Sequence, residues 1–323
     1  GDAVPPAPLE ARTIGWWDFA ASPEGRRLVD RSPNRLDGRL ENLPTRAVTG
    51  SRWDGREHDF RRAPDQYAAI HFHSDDVYDA RWQPDFELVV PPDWSSAVYA
   101  VRLRSGDRVD HVPFFVAPPK GEPRAELALL VPTATYLAYA NMPDPHAIVR
   151  RLYGSSDGVL LGELTASGGA YGPSCYEAHA DGSGVHHGSH LRPVLNLKPR
   201  DDLWAWNADM RIVDWLEAEG IAYDVLTDEL LHAEGAALLA PYRVIVTGTH
   251  PEYTSTAMLD ALVAHQEAGG RLVYLGGNGF YWRIAFHPGN MNIIEVRRSE
   301  DGVRAWDARV GEYYHQFTGE YGG

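Results

Sequence analysis

The sequence predicts an α/β C-terminal domain with a doubly wound, three-layer sheet, preceded by an all-β sandwich region. Two patterns predict this division: short strand-like runs fill the first part of the chain, and strands alternate with amphipathic helices after it. A proline-rich stretch at residues 118–123 separates the two patterns. We therefore expect an all-β region at residues 1–120 and an α/β domain at residues 121–323. The chain length of 323 residues agrees with two regions, because a single domain usually contains about 150 residues.

In the first region, residues 86–90 and 97–103 are β-branched and aromatic runs separated by two prolines and an aspartate. Both predict antiparallel strands. Residues 111–116 form a further such run, and the polar residues 104–110 provide a turn. We expect 97–103 and 111–116 to pair as a hairpin.

In the second region, residues 125–131 are apolar almost without interruption, which is typical of a parallel strand buried on both faces. Apolar residues at helical spacing, each run followed by a glycine, predict helices at residues 208–220 and 255–268. Further strands are predicted at residues 223–226, 242–248 and 271–275. Such a sheet places its ligand sites at the carboxyl ends of the strands.

Composition excludes several partners. The chain carries 45 acidic and 30 basic residues, a net charge of −15, and no clustered basic stripe, so we expect no nucleic acid. No run of about 18 apolar residues exists, which excludes a membrane span. The single cysteine, Cys175, fits a reducing compartment, and we expect the cytoplasm. The chain begins with Gly1 and ends at Gly323 without a closing element, so we expect a C-terminally truncated fragment.

Polar residues follow three of the predicted strands, where a doubly wound sheet would bring them together. Tyr136 and Tyr139 follow the first, His250 and Glu252 follow the third, and Asn278 follows the fourth. The irregular stretch 141–200 is longer than the loops that merely connect elements in compact domains, and this length predicts a binding loop.

The turn that carries Asn278 holds no nucleophile of the kind that serine and cysteine hydrolases use. An asparagine amide is a good donor to an oxyanion, and asparagine is equally suited to a plain turn. Cys175 lacks the flanking glycines of a nucleophile turn. No phosphate-binding glycine motif is present, so a nucleotide cofactor is not expected.

Two groups of histidines contain residue types that can bind a metal. His186, His187 and His190 sit close together, but side chains at adjacent positions diverge and no cysteine partners exist, so we expect a solvated histidine-rich loop rather than a zinc site. His71 and His73 lie on one face of a strand ahead of two aspartates and suit either a metal or burial with hydrogen bonds.

The chain also resembles the family of N,N-dimethylformamidase large (beta) subunits. The matching phrases cover nearly all of it and lie at residues 44–50 with 53–55, 69–73 with 75–76, 135–141, 176–184, 223–229, 247–253 and 275–282. The resemblance implies an amidohydrolase with one mononuclear Fe³⁺ held by two tyrosinates and a glutamate. Glu252 matches the carboxylate and Tyr176 one phenolate. Either Tyr136 or Tyr139 matches the other.

The resemblance also implies that His250 and Asn278 lie close to the ion. We expect His250 to shuttle a proton and Asn278 to help hold the oxyanion while a small amide such as N,N-dimethylformamide is hydrolysed. We expect the substrate pocket to include Phe280, Tyr281, Trp282 and Arg298. Arg298 or its neighbour Arg297 falls near a position where the family carries a lysine. This difference would change the substrate pocket.

For the fold, the resemblance implies a glutamine-amidotransferase-like C-terminal domain after the end of a lectin-like jelly roll and a small immunoglobulin-like sandwich. It also implies a homo-oligomer and allows a small accessory subunit. The alternative is a non-catalytic carbohydrate-binding or assembly subunit with a degenerate amidotransferase-like domain, which predicts no bound metal. A hydrolase of a different C–N bond is a third interpretation.

Overall fold

The computed structural model describes residues 12–142, 171–199, 205–298 and 308–323. These residues form two compact units that alternate along the chain. The first unit comprises residues 12–80, 171–192, 284–298 and 308–323. The second unit comprises residues 81–142, 193–199 and 205–283. Because the units alternate, they do not follow the two consecutive domains expected from the sequence, and the boundary after residue 120 stays a prediction.

Strands and helices are numbered in chain order over the described residues. The strands are β1 (Trp17–Asp18), β2 (Arg27–Asp30), β3 (Gly38–Arg39), β4 (Thr45–Val48), β5 (Ala69–His71), β6 (Ala97–Ser105), β7 (Arg108–Val116), β8 (Leu127–Val131), β9 (His187–Ser189), β10 (Asp224–Thr227), β11 (Val244–Thr247), β12 (Tyr253–Thr254), β13 (Arg271–Val273), β14 (Trp282–His287) and β15 (Asn290–Val296). The α-helices are α1 (Thr133–Ala138), α2 (Trp206–Ala218), α3 (Asp228–Glu234), α4 (Ala236–Leu239) and α5 (Thr256–Glu267). A 3-10 helix covers Pro64–Gln66.

A four-stranded parallel sheet in the order β10-β8-β11-β13 forms the centre of the second unit. Its strands lie within two residues of the predicted ranges. Strand β8 is the sequence Leu-Ala-Leu-Leu-Val, and its last four residues are buried, as suits a strand between two neighbours. Leu129 and Val131 pack with Val246 and with Ile212 and Leu216 of helix α2.

Helices α2 and α5 confirm the two predicted helices. Helix α5 begins after Ser255, whose hydroxyl accepts the Met258 amide and so satisfies one of the free N–H groups of the first turn. Helix α1 was not predicted and directly follows strand β8. It therefore carries the residues that follow the first strand of the sheet.

Strands β6 and β7 confirm the predicted hairpin, with Ser105 opposite Arg108 at its turn. The strand predicted at residues 86–90 is wrong, because this run has no strand structure and Phe86 and Val89 are 59% and 80% exposed. A strand needs a neighbour to accept and donate its backbone hydrogen bonds, and the prolines before and after this run remove donors.

The first unit contains small antiparallel sheets. Strands β1, β2 and β3 form one, and β4 pairs with β5. In a third, β15 lies between β9 and residues 284–287 of β14. Leu43, Ala285, Ile293 and Phe317 form a buried apolar cluster in this unit.

The predicted solvated histidine loop is wrong. His186 and His187 are buried, because His187 begins β9 and its strand pairs with β15. Residues 143–170 and 200 of the predicted binding loop lie outside the described residues. Within the described part of the chain, no helix combines the length and apolar character that crossing a membrane requires.

Candidate active site

Three strand ends of the parallel sheet in the second unit carry the candidate residues. Helix α1 follows β8, and Tyr139 caps its carboxyl end. The loop with His250 and Glu252 follows β11, and the loop with Asn278 follows β13. The carboxyl ends of parallel strands lie at one edge of their sheet, which is where such folds hold their ligands.

The Glu252 carboxylate lies at the centre of this site and is fully buried. Its Oε2 atom accepts a hydrogen bond from the Tyr139 hydroxyl at 2.7 Å. His250 Nδ1 lies 3.4 Å from the same oxygen, and the Asn278 amide donates to Oε1 at 3.3 Å. The structure therefore brings together four of the residues predicted for catalysis and metal binding.

Backbone hydrogen bonds hold Glu252 in place. The Thr135 hydroxyl on helix α1 accepts both the Glu252 amide at 3.0 Å and the Tyr253 amide at 3.2 Å. The carbonyl of Glu252 accepts the amides of Tyr281 and Trp282, each at 3.0 Å. These contacts fix the backbone from which the Glu252 side chain extends.

The two candidate tyrosines on helix α1 have different partners. The hydroxyl of Tyr136 donates a short hydrogen bond to Asp209 of helix α2, while that of Tyr139 points to Glu252. Burial and the neighbouring Asp209 raise the pKa of Tyr136 well above its usual range, so a phenolate is disfavoured there. The geometry favours Tyr139 over Tyr136 as a ligand beside Glu252.

Asp209 is a buried residue of this region that the sequence analysis missed. It accepts the amide of Thr249 at 2.5 Å and the Thr249 hydroxyl at 2.7 Å, and so holds the loop that leads to His250. A signal was available, because Asp209 falls three residues before Ile212 and seven before Leu216 on the apolar face of helix α2. A carboxylate on a buried helix face needs hydrogen-bond partners.

The three predicted aromatic pocket residues differ in exposure. Trp282 is buried, Tyr281 is exposed and Phe280 is half-buried with a φ of 54°. The Phe280 amide donates to the carbonyl of Pro251 at 2.7 Å, which keeps its loop next to the Glu252 loop. Phe280 and Tyr281 are therefore available to line a pocket, whereas the Trp282 ring lies in the interior.

Tyr176 and Arg298 lie in the first unit. The Arg298 guanidinium stacks over the Tyr176 ring, with its central carbon 4.2 Å from the ring centroid. Arg298 also donates to the carbonyl of Cys175 at 2.8 Å and is fully buried. Burial raises the pKa of the Cys175 thiol, which agrees with an inert cysteine.

A family model described as "N,N-dimethylformamidase beta subunit-like, C-terminal" matches residues 45–323. The chain belongs to this family. It is 41% identical over 324 residues to the N,N-dimethylformamidase beta subunit of Paracoccus aminophilus, and 41% identical over 325 residues to that of an Alcaligenes species. Each alignment covers 96% of this chain and 42% of the relative, so the chain spans about two-fifths of their length.

The donor set beside Glu252 suits the ferric ion that the resemblance to dimethylformamidase subunits implies. A carboxylate and a phenolate are hard, anionic oxygen ligands, which favour hard cations. The Tyr139 hydroxyl is hydrogen-bonded to the Glu252 carboxylate. Loss of the hydroxyl proton would therefore leave two anionic oxygen atoms side by side as metal ligands. A role for Tyr176 as the second phenolate stays a prediction.

Proposed function

We propose that this chain contributes the reaction centre of an iron-dependent hydrolase that cleaves the C–N bond of a small amide such as N,N-dimethylformamide. The observation that carries the proposal is the buried Glu252 carboxylate with a phenol, an imidazole and a carboxamide around it. The identity to proteins named N,N-dimethylformamidase beta subunit supports the choice of substrate class.

Glu252 and Tyr139 would hold the ferric ion, with Tyr176 as the proposed second phenolate. Two phenolates and one carboxylate balance a charge of 3+. When bound, the ion supplies Lewis acidity that polarises the amide carbonyl or lowers the pKa of a water molecule.

His250 is the proposed proton carrier. Its side chain is 13% exposed, so it is open to a water molecule while Nδ1 stays 3.4 Å from the Glu252 carboxylate. In hydrolysis, the oxygen of water bonds to the amide carbon and the C–N bond breaks. The imidazole takes a proton from the water and delivers it to the departing nitrogen, so that an acid and an amine are released.

Asn278 is the proposed oxyanion donor. Its Nδ2 group can turn from Glu252 towards the amide oxygen as negative charge develops there. Phe280 and Tyr281 offer apolar ring surface to N-alkyl groups, and Trp282 supports them from the interior. Arg298 stays a proposed pocket residue, although its fully buried guanidinium already stacks on Tyr176.

The relatives are named as beta subunits, and we extend the proposal to assembly. The protein would form a cytoplasmic homo-oligomer with a small accessory subunit of different sequence. We propose no nucleic-acid partner, because a net charge of −15 repels the phosphate backbone.

A matched pair of tyrosine variants tests the proposal. Iron content and the visible charge-transfer band of ferric tyrosinate are measured on the purified protein, on Tyr139→Phe and on Tyr136→Phe. The two variants lose the same hydroxyl on the same helix, but only Tyr139 contacts Glu252. We expect about one iron per chain in the parent and in Tyr136→Phe, and loss of iron, colour and amide hydrolysis in Tyr139→Phe.

Glu252→Gln should also lose iron, because the amide removes the anionic ligand. A thermal unfolding midpoint close to that of the parent shows that each variant is folded. A colourless parent protein that takes up no added iron and releases no amine would overturn the proposal and favour a non-catalytic subunit.

A further inference from the structure

Two imidazoles and a carboxylate that have no role in the proposed reaction centre converge in the first unit. His73 and Asp76 follow strand β5, and His179 comes from the segment before strand β9. One nitrogen or oxygen atom of each of these three residues lies within 4.8 Å of the other two. Imidazole nitrogen and carboxylate oxygen are common ligands of divalent first-row metals.

The Asp76 carboxylate faces both rings. Its Oδ2 atom lies 3.4 Å from His73 Nδ1, and its Oδ1 atom lies 3.6 Å from His179 Nε2. His73 Nδ1 is a buried atom without a hydrogen-bond partner, in a side chain that is only 7% exposed.

The outer nitrogen of each ring is already held by another group. His179 Nδ1 lies 2.7 Å from Asp75 Oδ1, which fixes the proton on that nitrogen. His73 Nε2 lies 2.9 Å from the Ser183 hydroxyl, and this hydroxyl donates to Asp181. Ser183 therefore accepts a hydrogen bond from His73, which places a proton on Nε2.

With a proton on each outer nitrogen, the inner nitrogens are available to coordinate a metal. These nitrogens and the Asp76 carboxylate are three donor groups directed at one point, an arrangement that a bound cation would satisfy. The rings of His73 and His179 are stacked, with their centroids 3.6 Å apart and an angle of 1° between the ring planes.

We propose that His73, Asp76 and His179 bind a divalent first-row transition ion. Asp75 and Ser183 act as the outer partners that set the orientation of the ligand rings, as is usual for metal-bound histidine. Zn²⁺ bonds of about 2.0–2.2 Å require the three donor atoms to close in by roughly 1 Å and one ring to turn out of the stack. The exposed carboxylates of Asp75 and Asp181 provide an acidic entry from solvent.

Zn²⁺ titration of chelator-treated protein tests this site. Because Glu252 offers a separate set of oxygen donors, the titration is made in the parent and in Glu252→Gln. We expect one Zn²⁺ equivalent to remain in Glu252→Gln and to be lost when His179→Gln or Asp76→Asn is added. Asp75→Asn should retain the site with an affinity about 10–100-fold lower, since it removes only an outer partner.

His71→Gln is the matched control. His71 lies two residues before His73, and its ring centroid is 5.9 Å from that of His73, but it is not one of the three proposed ligands. We expect this variant to keep the parent affinity. Zn²⁺ should raise the thermal unfolding midpoint of the parent and of His71→Gln, but not that of His179→Gln.

Two results would overturn the proposal. One is a Zn²⁺ stoichiometry that does not change in His179→Gln and Asp76→Asn. The other is an equal loss of Zn²⁺ in His71→Gln, which would assign the binding to a different set of histidines. Both readouts concern the first unit and are independent of whether the Glu252 site binds iron, so the two proposals fail separately.

Discussion

At the scale of single residues, Glu295 and Arg297 form a buried ion pair in the first unit. Both side chains are fully buried, and Arg297 Nε donates to Glu295 Oε1 at 2.7 Å. The amides of Gln316 and Phe317 donate to the same carboxylate at 3.0 and 3.1 Å. Glu295→Gln leaves the guanidinium charge uncompensated, and we expect a loss of roughly 3–5 kcal/mol in the free energy of unfolding, measured by urea denaturation.

The control for this prediction is an exposed pair with the same residue types. Glu41 lies 3.1 Å from Arg26, with side chains that are 53% and 27% exposed. Water screens such a pair, so Glu41→Gln should cost at most about 1 kcal/mol. Equal losses in the two variants would show that burial does not govern the strength of the Glu295 pair.

At the scale of elements, two loops of the candidate site touch through their backbones. A Cβ atom at Gly276 would lie 2.4 Å from the carbonyl oxygen of Thr249 and 2.7 Å from its carbonyl carbon. Gly276→Ala must therefore push apart the loops that carry Glu252 and Asn278. We expect a loss of roughly 1–3 kcal/mol in unfolding free energy together with reduced iron content and activity.

Gly25→Ala is the matched control, because the nearest atoms to a Cβ there are 3.6 and 4.0 Å away. It should unfold at the parent temperature or slightly above it, since alanine restricts the unfolded chain. Unchanged stability and iron content in Gly276→Ala would show that the two loops can separate without effect on the site.

The elements also show what the sequence pattern can and cannot predict. The parallel strands were predictable from their short apolar runs, and helices α2 and α5 from apolar residues at helical spacing. Helix α1 was not, because all six of its residues are buried and it has no polar face. The run at 86–90 has strand composition, but composition does not provide the neighbour that a strand requires.

For the site, the strand-end rule correctly grouped Tyr139, Glu252, His250 and Asn278, because parallel strands place their ends at one edge. It could not separate Tyr139 from Tyr136. That distinction depends on Asp209, which lies 73 positions from Tyr136 and occupies its hydroxyl.

At the scale of the whole molecule, the two units combine segments that are distant in sequence. The Arg46 amide donates to Gln316 Oε1 at 2.8 Å across 270 positions in the first unit. Contacts of this kind depend on the complete fold, and local patterns do not reveal them. This is why the sequence led to two consecutive regions, whereas the compact units alternate along the chain.

Stability of the whole chain should depend on pH through buried groups of opposite sign. Burial and the nearby Arg297 lower the pKa of His187 to about 3. Below pH 6.5, His187 therefore binds a proton in the unfolded chain but stays unprotonated in the folded chain until the pH approaches 3. The contribution of His187 therefore falls as pH decreases from 6.5 towards 3. Burial and the neighbouring Glu229 raise the pKa of Asp228 above its value in the unfolded chain. The contribution of Asp228 to folding stability is therefore present at low pH and is lost as pH rises through the folded-state pKa.

Two variants separate these contributions in urea titrations at pH 5.0, 6.0 and 7.0. For His187→Gln, the stability difference from the parent should shift by roughly 1.5–2 kcal/mol in favour of the variant between pH 7.0 and 5.0, because glutamine binds no proton. For Asp228→Asn, the shift should favour the variant as pH rises, because only the parent must lose a proton or bury a charge. Parallel stability curves for parent and variants would mean that these side chains reach solvent in the folded protein.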